Sequence, residues 1–171
     1  MSRRDLIRMS PDEQLAFLGE QRVVTVASVG PNGRPHLMPL WFIVEPAPAD
    51  VGGADTTGPP RLLAWTYGSS QKVKNLERLP QATLLAEAGE EYQELRGIQA
   101  EADVELITDT DAVARLGLEI ALRYAPGDVS ADDAPPELKA MIAQQATKRV
   151  GLRFTPTKLV TWDHRKLGGV Y

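Results

Sequence analysis

The segment SSQK at residues 69–72 carries side chains that could bind an anion. Ser69 or Ser70 is expected to cap a helix, whose free backbone N–H groups attract phosphate. Acidic residues are preferred in the first turn of a helix, yet this turn holds Lys72, and the next carboxylate is Glu77. The local spacing alone favours a surface helix whose lysines face solvent. The uncompensated charge and the position of this helix after a strand support the alternative, a phosphate site.

A second group of candidate residues lies in HLMPLWF, residues 36–42. Pro39 cannot donate to a sheet, which predicts an edge strand or a bulge at this point. Met38 and Trp41 are suited to covering a planar ring because their side chains are soft or flat. The other large apolar residues are expected in the core: Leu37, Leu40 and Phe42.

A third group ends the chain in TWDHRKLGGVY, residues 161–171. Asp163 and His164 are adjacent, so on a strand they face opposite sides and form no catalytic dyad. The chain has 2 histidines, no cysteine and no H-E-x-x-H motif, which leaves no predicted metal site. It also lacks a G-x-S-x-G motif and a Walker loop, so a bound cofactor would have to supply the reactivity.

Antiparallel strands with few helices are expected to position these residues. Ser10 and Pro11 begin a first helix, and Asp109 caps a second one that ends near Tyr124. The fold class is mainly β (α+β): a Greek-key or split β-barrel with peripheral helices, not a doubly wound parallel sheet. The predicted strands are 22–29, 36–45, 61–67, 82–88, 91–108 (bent at Gly97), 149–156 and 158–164, and a short helix covers 138–146.

The composition fits one soluble domain. The chain has 171 residues, of which 43% are hydrophobic, and residues 46–60 are predicted to be an extended loop inside that domain. A net charge of −4 argues against nucleic-acid binding. No apolar stretch suits a signal peptide or a membrane span, so we expect a cytoplasmic protein that does not bind membranes.

Several segments together resemble the flavin/deazaflavin oxidoreductases of the pyridoxamine 5′-phosphate oxidase-like split-barrel superfamily, and more narrowly their deazaflavin-using B group. These segments are residues 23–42, 65–85 and 94–109, and the resemblance extends from about residue 10 to the end. Its more specific parts are VKNL at 73–76, followed by Pro80, and WDHRK at 162–166. The loop at 46–60 is longer than is usual in that family.

The resemblance implies a cofactor site and an assembly. The strand at 38–43 would run beside a tricyclic ring, Trp65 and Thr66 would lie along the ring and ribityl chain, and residues 70–72 would hold a phosphate. Related oxidases carry arginine at the position of Gln71. A homodimer with cofactor sites at the subunit interface is implied, with Trp162 reaching the partner's site. The implied cofactor-binding residues are Met38, Pro39, Leu40, Trp41, Trp65, Thr66, Ser70, Gln71, Lys72, Asn75 and Trp162.

The leading functional hypothesis is therefore an oxidoreductase that uses coenzyme F420 to transfer a hydride to or from a small organic molecule. One alternative keeps the fold and binds FMN, as an oxidase or reductase. Another is a non-catalytic protein that binds a flavin, haem or a related ligand.

Overall fold

The computed structural model describes residues 2–45, 58–127 and 129–168. The loop predicted at 46–60 lies almost entirely outside them. Five α-helices are present in the described part of the chain: α1 (Arg3–Leu6), α2 (Pro11–Glu20), α3 (Gln71–Arg78), α4 (Thr110–Tyr124) and α5 (Pro136–Ala146). None of the described helices is long and apolar enough to cross a membrane.

Seven strands form one antiparallel sheet in the order β2-β1-β5-β6-β7-β4-β3. The predicted fold class, a split-barrel antiparallel sheet with peripheral helices, is confirmed. The strands are β1 (Val24–Val29), β2 (Pro35–Leu40), β3 (Ile43–Glu45), β4 (Arg61–Tyr67), β5 (Gln81–Ala88), β6 (Arg96–Ile107) and β7 (Arg149–Asp163).

The two edge strands are consecutive in sequence, which closes the sheet into a half-barrel. β2 and β3 lie at opposite ends of the strand order, yet only Trp41 and Phe42 separate them. The sheet must therefore curl until its two edges meet at these residues. Phe42 is completely buried at this corner, within the apolar core that fills the concave face.

Alternation along the strands decides which side chains enter that core. In β1, Val24 and Val26 are buried in the barrel, whereas Thr25 and Ala27 take the opposite face. Leu37, expected in the core, is 57% exposed because it pairs with Ala27 on the outer face. Leu40 is partly buried against the core, as expected.

Helix caps confirm two predicted starts. The Ser10 hydroxyl accepts from the backbone N–H of Glu13, and the Asp109 carboxylate accepts from that of Ala112. The predicted strand 91–108 was wrong at its start, because Tyr92–Glu94 forms a 3-10 turn and β6 begins at Arg96. The register shift in β6 falls between Glu101 and Ala102, not at Gly97.

The final strand and the segment after it hold the two ends of the chain together. β7 is one continuous strand, one of the two arrangements expected from 149–156 and 158–164. Lys166 Nζ contacts the Glu13 carboxylate at 2.6 Å and the Arg8 carbonyl at 2.7 Å, and the Asp163 N–H donates to the Ile7 carbonyl. Most polar groups of the WDHRK segment therefore serve intramolecular packing.

Candidate functional site

Two strand edges without partners face each other beyond the corner at Trp41 and Phe42. β3 pairs with the first half of β4, with Ile43 opposite Leu63. Continued backwards, that register would put Leu40 opposite Thr66 and His36 opposite Ser70. No ladder joins these segments in the described chain, because β2 pairs only with β1. The result is a split in the barrel wall.

The edge position of β2 fits its prolines. Pro35 and Pro39 have the same parity along the strand, and both pair with β1 residues. In an antiparallel pair, every second residue of a strand hydrogen-bonds to its neighbour. If the residues between the two prolines make the bonds to β1, the missing proline N–H groups cost no hydrogen bond. The prediction that Pro39 marks an edge strand is thus confirmed. Met38 and Leu40 lie on the inner face of this edge, together with His36.

The other side of the split ends at the start of α3. Ser70 occupies the N-cap position, as one of the two expected caps, but its hydroxyl makes no capping hydrogen bond. Its Oγ is buried and has no hydrogen-bond partner among the described residues. The first turn contains no acidic residue. An anion could therefore meet a free hydroxyl and the unpaired N–H groups of a helix start.

Lys72 is buried, which excludes the alternative of a solvent-facing lysine. Its side chain is only 7% exposed, and Nζ donates to Thr66 Oγ1 at 2.9 Å. Throughout residues 2–45, 58–127 and 129–168, no carboxylate lies within 4.0 Å of this ammonium. Burial accordingly lowers the pKa of Lys72. Lys74, by contrast, is exposed as expected.

Hydrogen bonds through the buried Asn75 fix α3 against the barrel. Gln71 Nε2 donates to Asn75 Oδ1 at 2.9 Å, and Asn75 Nδ2 donates to Ser28 Oγ at 3.1 Å. Asn75 and Ser28 are 0% and 1% exposed. Ser28 also pairs across strands with His36, whose Nδ1 is buried without a partner. The structure thus brings Thr66, Ser70, Gln71, Lys72 and Asn75 together at one end of the split.

The sequence interpretation missed Ser28 and set His36 aside. A signal for Ser28 existed in the sequence, because alternation along β1 puts Ser28 on the same inner face as Val24 and Val26. A polar residue on that face requires a buried hydrogen-bond partner. That partner, Asn75, is 47 residues away in the sequence, so only the tertiary structure identifies it.

Trp41 lies at the corner of the split in a rigid aromatic stack. Its ring is parallel to that of Tyr124, with centroids 4.3 Å apart and an interplanar angle of 4°, and the residue is 55% exposed. The Tyr124 hydroxyl donates to the Arg22 carbonyl at 2.7 Å and accepts from the Phe42 N–H. The indole is therefore held in place with one side accessible.

Arg123 secures the same corner. Its guanidinium donates to the carbonyl of Phe42, and its Nη2 reaches those of Leu18 and Gln21 at 2.8 and 2.9 Å. The pKa of Arg123 is lowered because the group is desolvated. These bonds join the end of α4 to the α2–β1 connection and to the β2–β3 corner.

Trp65 and Thr66 face opposite sides of β4. Thr66 points into the barrel toward Lys72, whereas the Trp65 ring packs under α4 and α5. A Cβ placed on Gly117 would come within 2.4 Å of that ring, so this glycine is needed for the close approach. Within the site, Trp65 contributes its backbone along the split, and its side chain serves the helical layer.

Trp162 lies far from Lys72 in the same chain. It pairs with Gly97, and its ring covers that glycine, while Val150 of the same strand pairs with Thr66. Twelve residues separate Trp162 from Val150, a contour length of about 40 Å in an extended strand. A role for Trp162 at this site would require a second copy of the chain.

The arrangement suits anion binding beside an apolar edge, not acid–base chemistry. The pKa of the Asp163 carboxyl is lowered by its bidentate contact with Arg165, so that acid is held ionised, remote from the split. The described residues contain no group of acidic residues and histidines that could hold a metal ion. Lys72 and Ser70 could bind an anion at one end of the split, and Met38 and Leu40 line its apolar edge.

Comparisons with solved structures show the fold and one closer similarity. The conserved hypothetical protein Rv2991 of Mycobacterium tuberculosis is 33% identical, with 100% of this chain and 95% of that one covered at a TM-score of 0.80. An F420 reductase is 19% identical (84% and 93% covered, TM-score 0.55), and the haem storage protein HutZ of Vibrio cholerae is 16% identical (91% and 96%, TM-score 0.60).

No curated protein matches the sequence significantly. Residues 10–163, most of the chain, match the family model described as pyridoxamine 5′-phosphate oxidase. This match includes both sides of the split and the strand that ends at Asp163. Together with the split-barrel topology, it shows that the chain belongs to the pyridoxamine 5′-phosphate oxidase family.

Proposed function

We propose that this protein is an oxidoreductase that binds coenzyme F420 and transfers a hydride between its deazaflavin ring and a small organic molecule. The observation that carries the proposal is the buried ammonium of Lys72, which has no carboxylate partner in the described structure. A buried charge without a partner is costly, and a bound phosphate would compensate it. The ring would then lie along the free edge of β2.

The dimensions of the split support this placement. In the register continued from β3, His36 lies opposite Ser70. The five steps along the strand from His36 to Trp41 span roughly 17 Å. That length accommodates a tricyclic ring joined to a phosphate by a ribityl chain. Met38 and Leu40 present apolar side chains on the inner face of the edge, which favours an uncharged flat ring there.

The protein residues bind and orient, and the cofactor supplies the hydride chemistry when bound. Lys72 and Ser70 hold the phosphate, and Asn75 keeps α3 in position through Ser28. The backbone of the β2 edge offers hydrogen-bonding groups to the rim of the ring. Phe42 and the stacked Trp41 close the corner against water and leave one side of the indole for contact with ring or substrate.

FMN is the alternative cofactor, because its ring and phosphate make the same demands. Gln71 favours the deazaflavin, because a neutral amide supplies no positive charge at a position where related oxidases carry arginine. This amide donates to Asn75 Oδ1. A non-catalytic ligand-binding protein is the second alternative, which the haem storage neighbour keeps open.

The proposal includes a homodimer in which Trp162 of one copy approaches the split of the other. The outer face of the neighbouring strands β2, β1 and β5 carries exposed apolar side chains: Leu37 at 57%, Val29 at 40% and Leu85 at 37%. Such a face is typical of an interface. Light scattering of the purified protein tests this directly, and a Leu37→Asp variant is expected to shift the mass toward the monomer.

Titration of the purified protein with coenzyme F420 and with FMN tests the cofactor assignment. Absorbance and fluorescence report binding, and reduction of the bound cofactor by a hydride donor reports catalysis. Tight FMN binding without F420 binding would refute the deazaflavin assignment. Binding without any hydride exchange would favour the non-catalytic alternative. A cofactor co-purified from the native host provides an independent identification.

A further inference from the structure

Arg149, at the start of β7, packs against two aromatic rings. Its Cζ atom is 4.2 Å from the centroid of the Trp65 ring and 4.5 Å from that of the Tyr67 ring. Cation–π contacts of this kind stabilise a guanidinium and fix its plane. The N–H donors at its edge remain available for hydrogen bonds.

These donors have no partner in the part of the chain that the structure describes. Arg149 Nε is buried without a hydrogen bond, and no carboxylate comes within 4.0 Å of the guanidinium. Other partly buried arginines differ: Arg96, for example, contacts Glu20 at 2.6 Å, and Arg153 contacts Glu105 at 2.8 Å. A planar, fixed and unpaired guanidinium is suited to bidentate binding of a phosphate or a carboxylate.

Arg149 lies at the same end of β4 as the phosphate end of the split. It pairs with Tyr67, the last residue of β4, while Lys72 bonds to the preceding residue, Thr66, from the other face of the strand. The Gly68 N–H donates to the Lys148 carbonyl at 3.0 Å, which ties the β4–α3 turn to the start of β7. Two uncompensated cations of the described chain therefore lie at the same end of the sheet.

We propose that Arg149 binds a second anionic group of the ligand whose phosphate lies at Lys72. This inference rests on the proposed function, and it adds a determinant of ligand choice. FMN ends at its single phosphate and leaves Arg149 uncompensated. A ligand that continues beyond the first phosphate, to a second phosphate or to a carboxylate, can reach both cations and binds more tightly.

Two ligand pairs with the same ring measure the effect and distinguish the two anions. The ratio of the affinities for FAD and FMN reports the effect of a second phosphate. The ratio of the affinities for coenzyme F420 and for the same deazaflavin truncated after its phosphate reports the effect of the carboxylates. In at least one pair, the longer ligand should bind the wild type roughly ten-fold more tightly or better, as for one charge-assisted contact. Arg149→Met should abolish that ratio. Arg115→Met, at an exposed arginine of α4, should preserve it.

Equal affinities within both pairs, or a ratio that survives in Arg149→Met, would overturn the proposal. If Arg149→Met fails to fold because Trp65 loses its cover, Arg149→Lys replaces it; lysine keeps the charge but cannot make the bidentate contact, so most of the ratio should still disappear.

A cofactor-independent measurement separates this inference from the proposed function. Pyrophosphate is added to ¹⁵N-labelled protein, and the side-chain N–H signal of Arg149, assigned by its loss in Arg149→Lys, should move. If no flavin or deazaflavin binds while that signal moves, the cofactor assignment fails and the anion site stands. A signal that does not respond to pyrophosphate refutes the anion site.

Discussion

Replacing Lys72 with methionine removes the buried ammonium and keeps most of the aliphatic side chain. The lost hydrogen bond leaves Thr66 Oγ1 buried without its 2.9 Å partner, at a cost of about 1–3 kcal/mol. Burial of an unpaired ammonium costs several kcal/mol, and the variant no longer carries that cost. We therefore expect the ligand-free Lys72→Met protein to be at least as stable as the wild type in thermal or urea denaturation.

Cofactor affinity should change in the opposite direction. A charge-assisted contact with phosphate contributes about 1.5–3 kcal/mol, so Kd should rise roughly 10- to 150-fold. The increase in melting temperature that saturating cofactor produces should shrink accordingly. Lys74→Met is the matched control, because Lys74 lies on the same helix but is exposed, and it should leave both quantities almost unchanged.

The pH dependence supplies a further check on the same residue. Burial lowers the pKa of Lys72 below its ordinary value of 10.5. In the window between the lowered pKa and 10.5, the unfolded chain therefore binds more protons than the folded one. The stability of the wild type relative to Lys72→Met should therefore increase as the pH rises through that window. An unchanged cofactor affinity combined with a large loss of stability in Lys72→Met would show that Lys72 is a structural residue and refute the phosphate assignment.

Two further substitutions test the packing of Trp65 and the ion pair of Asp163. Gly117→Ala should destabilise the protein by about 1–3 kcal/mol in thermal denaturation, because its Cβ would meet the Trp65 ring at 2.4 Å; Gly19→Ala, with nothing within 4 Å, should be neutral or slightly stabilising. Asp163→Asn should lower stability at neutral pH. The pKa of Asp163 is lower in the folded protein than in the unfolded chain, so the ionised carboxylate stabilises the fold above the unfolded-state pKa. This stabilisation is lost as the pH falls through the folded-state pKa. The difference between Asp163→Asn and wild type should thus vanish in acid, and a difference independent of pH would contradict the ion-pair explanation.

The position of Trp41 illustrates how far the sequence alone could lead. The size and flatness of Trp41 predicted that it covers a planar ring of a ligand. Pro39, two residues earlier, predicted an edge strand, and the sheet order confirms that edge position. The stack on Tyr124 and the contacts of Arg123 could not be predicted, because these residues are 83 and 81 positions from Trp41 and Phe42. Nothing in the local pattern specifies which helix end packs against the corner.

Trp65 shows the converse. The family resemblance implies that Trp65 and Thr66 lie along the cofactor, but neighbouring side chains of a strand point to opposite faces. The choice of face depends on which side α4 and α5 cover, and Gly117 on α4 provides the space for the indole. That pairing of a tryptophan with a distant glycine is a property of the packed structure.

Local sequence determined most of the helices and strands of this protein, although not all of their ends. Strand alternation, the caps at Ser10 and Asp109, and the proline at the edge of β2 act over a few residues, so their consequences are visible in the order of amino acids. Local sequence also places Lys72 in the first turn of α3, where no acidic residue balances its charge.

Only the tertiary structure decided what that charge means. Burial under the barrel wall, the bond to Thr66, and the absence of a carboxylate nearby in the described chain all depend on how distant segments curl together. The same closure leaves β2 and the end of β4 as facing free edges and fixes Arg149 against two rings at their end. Desolvation strengthens the weak local signal on which the proposed anion site rests, because the energy of a charge depends on its surroundings and not on its position in the sequence.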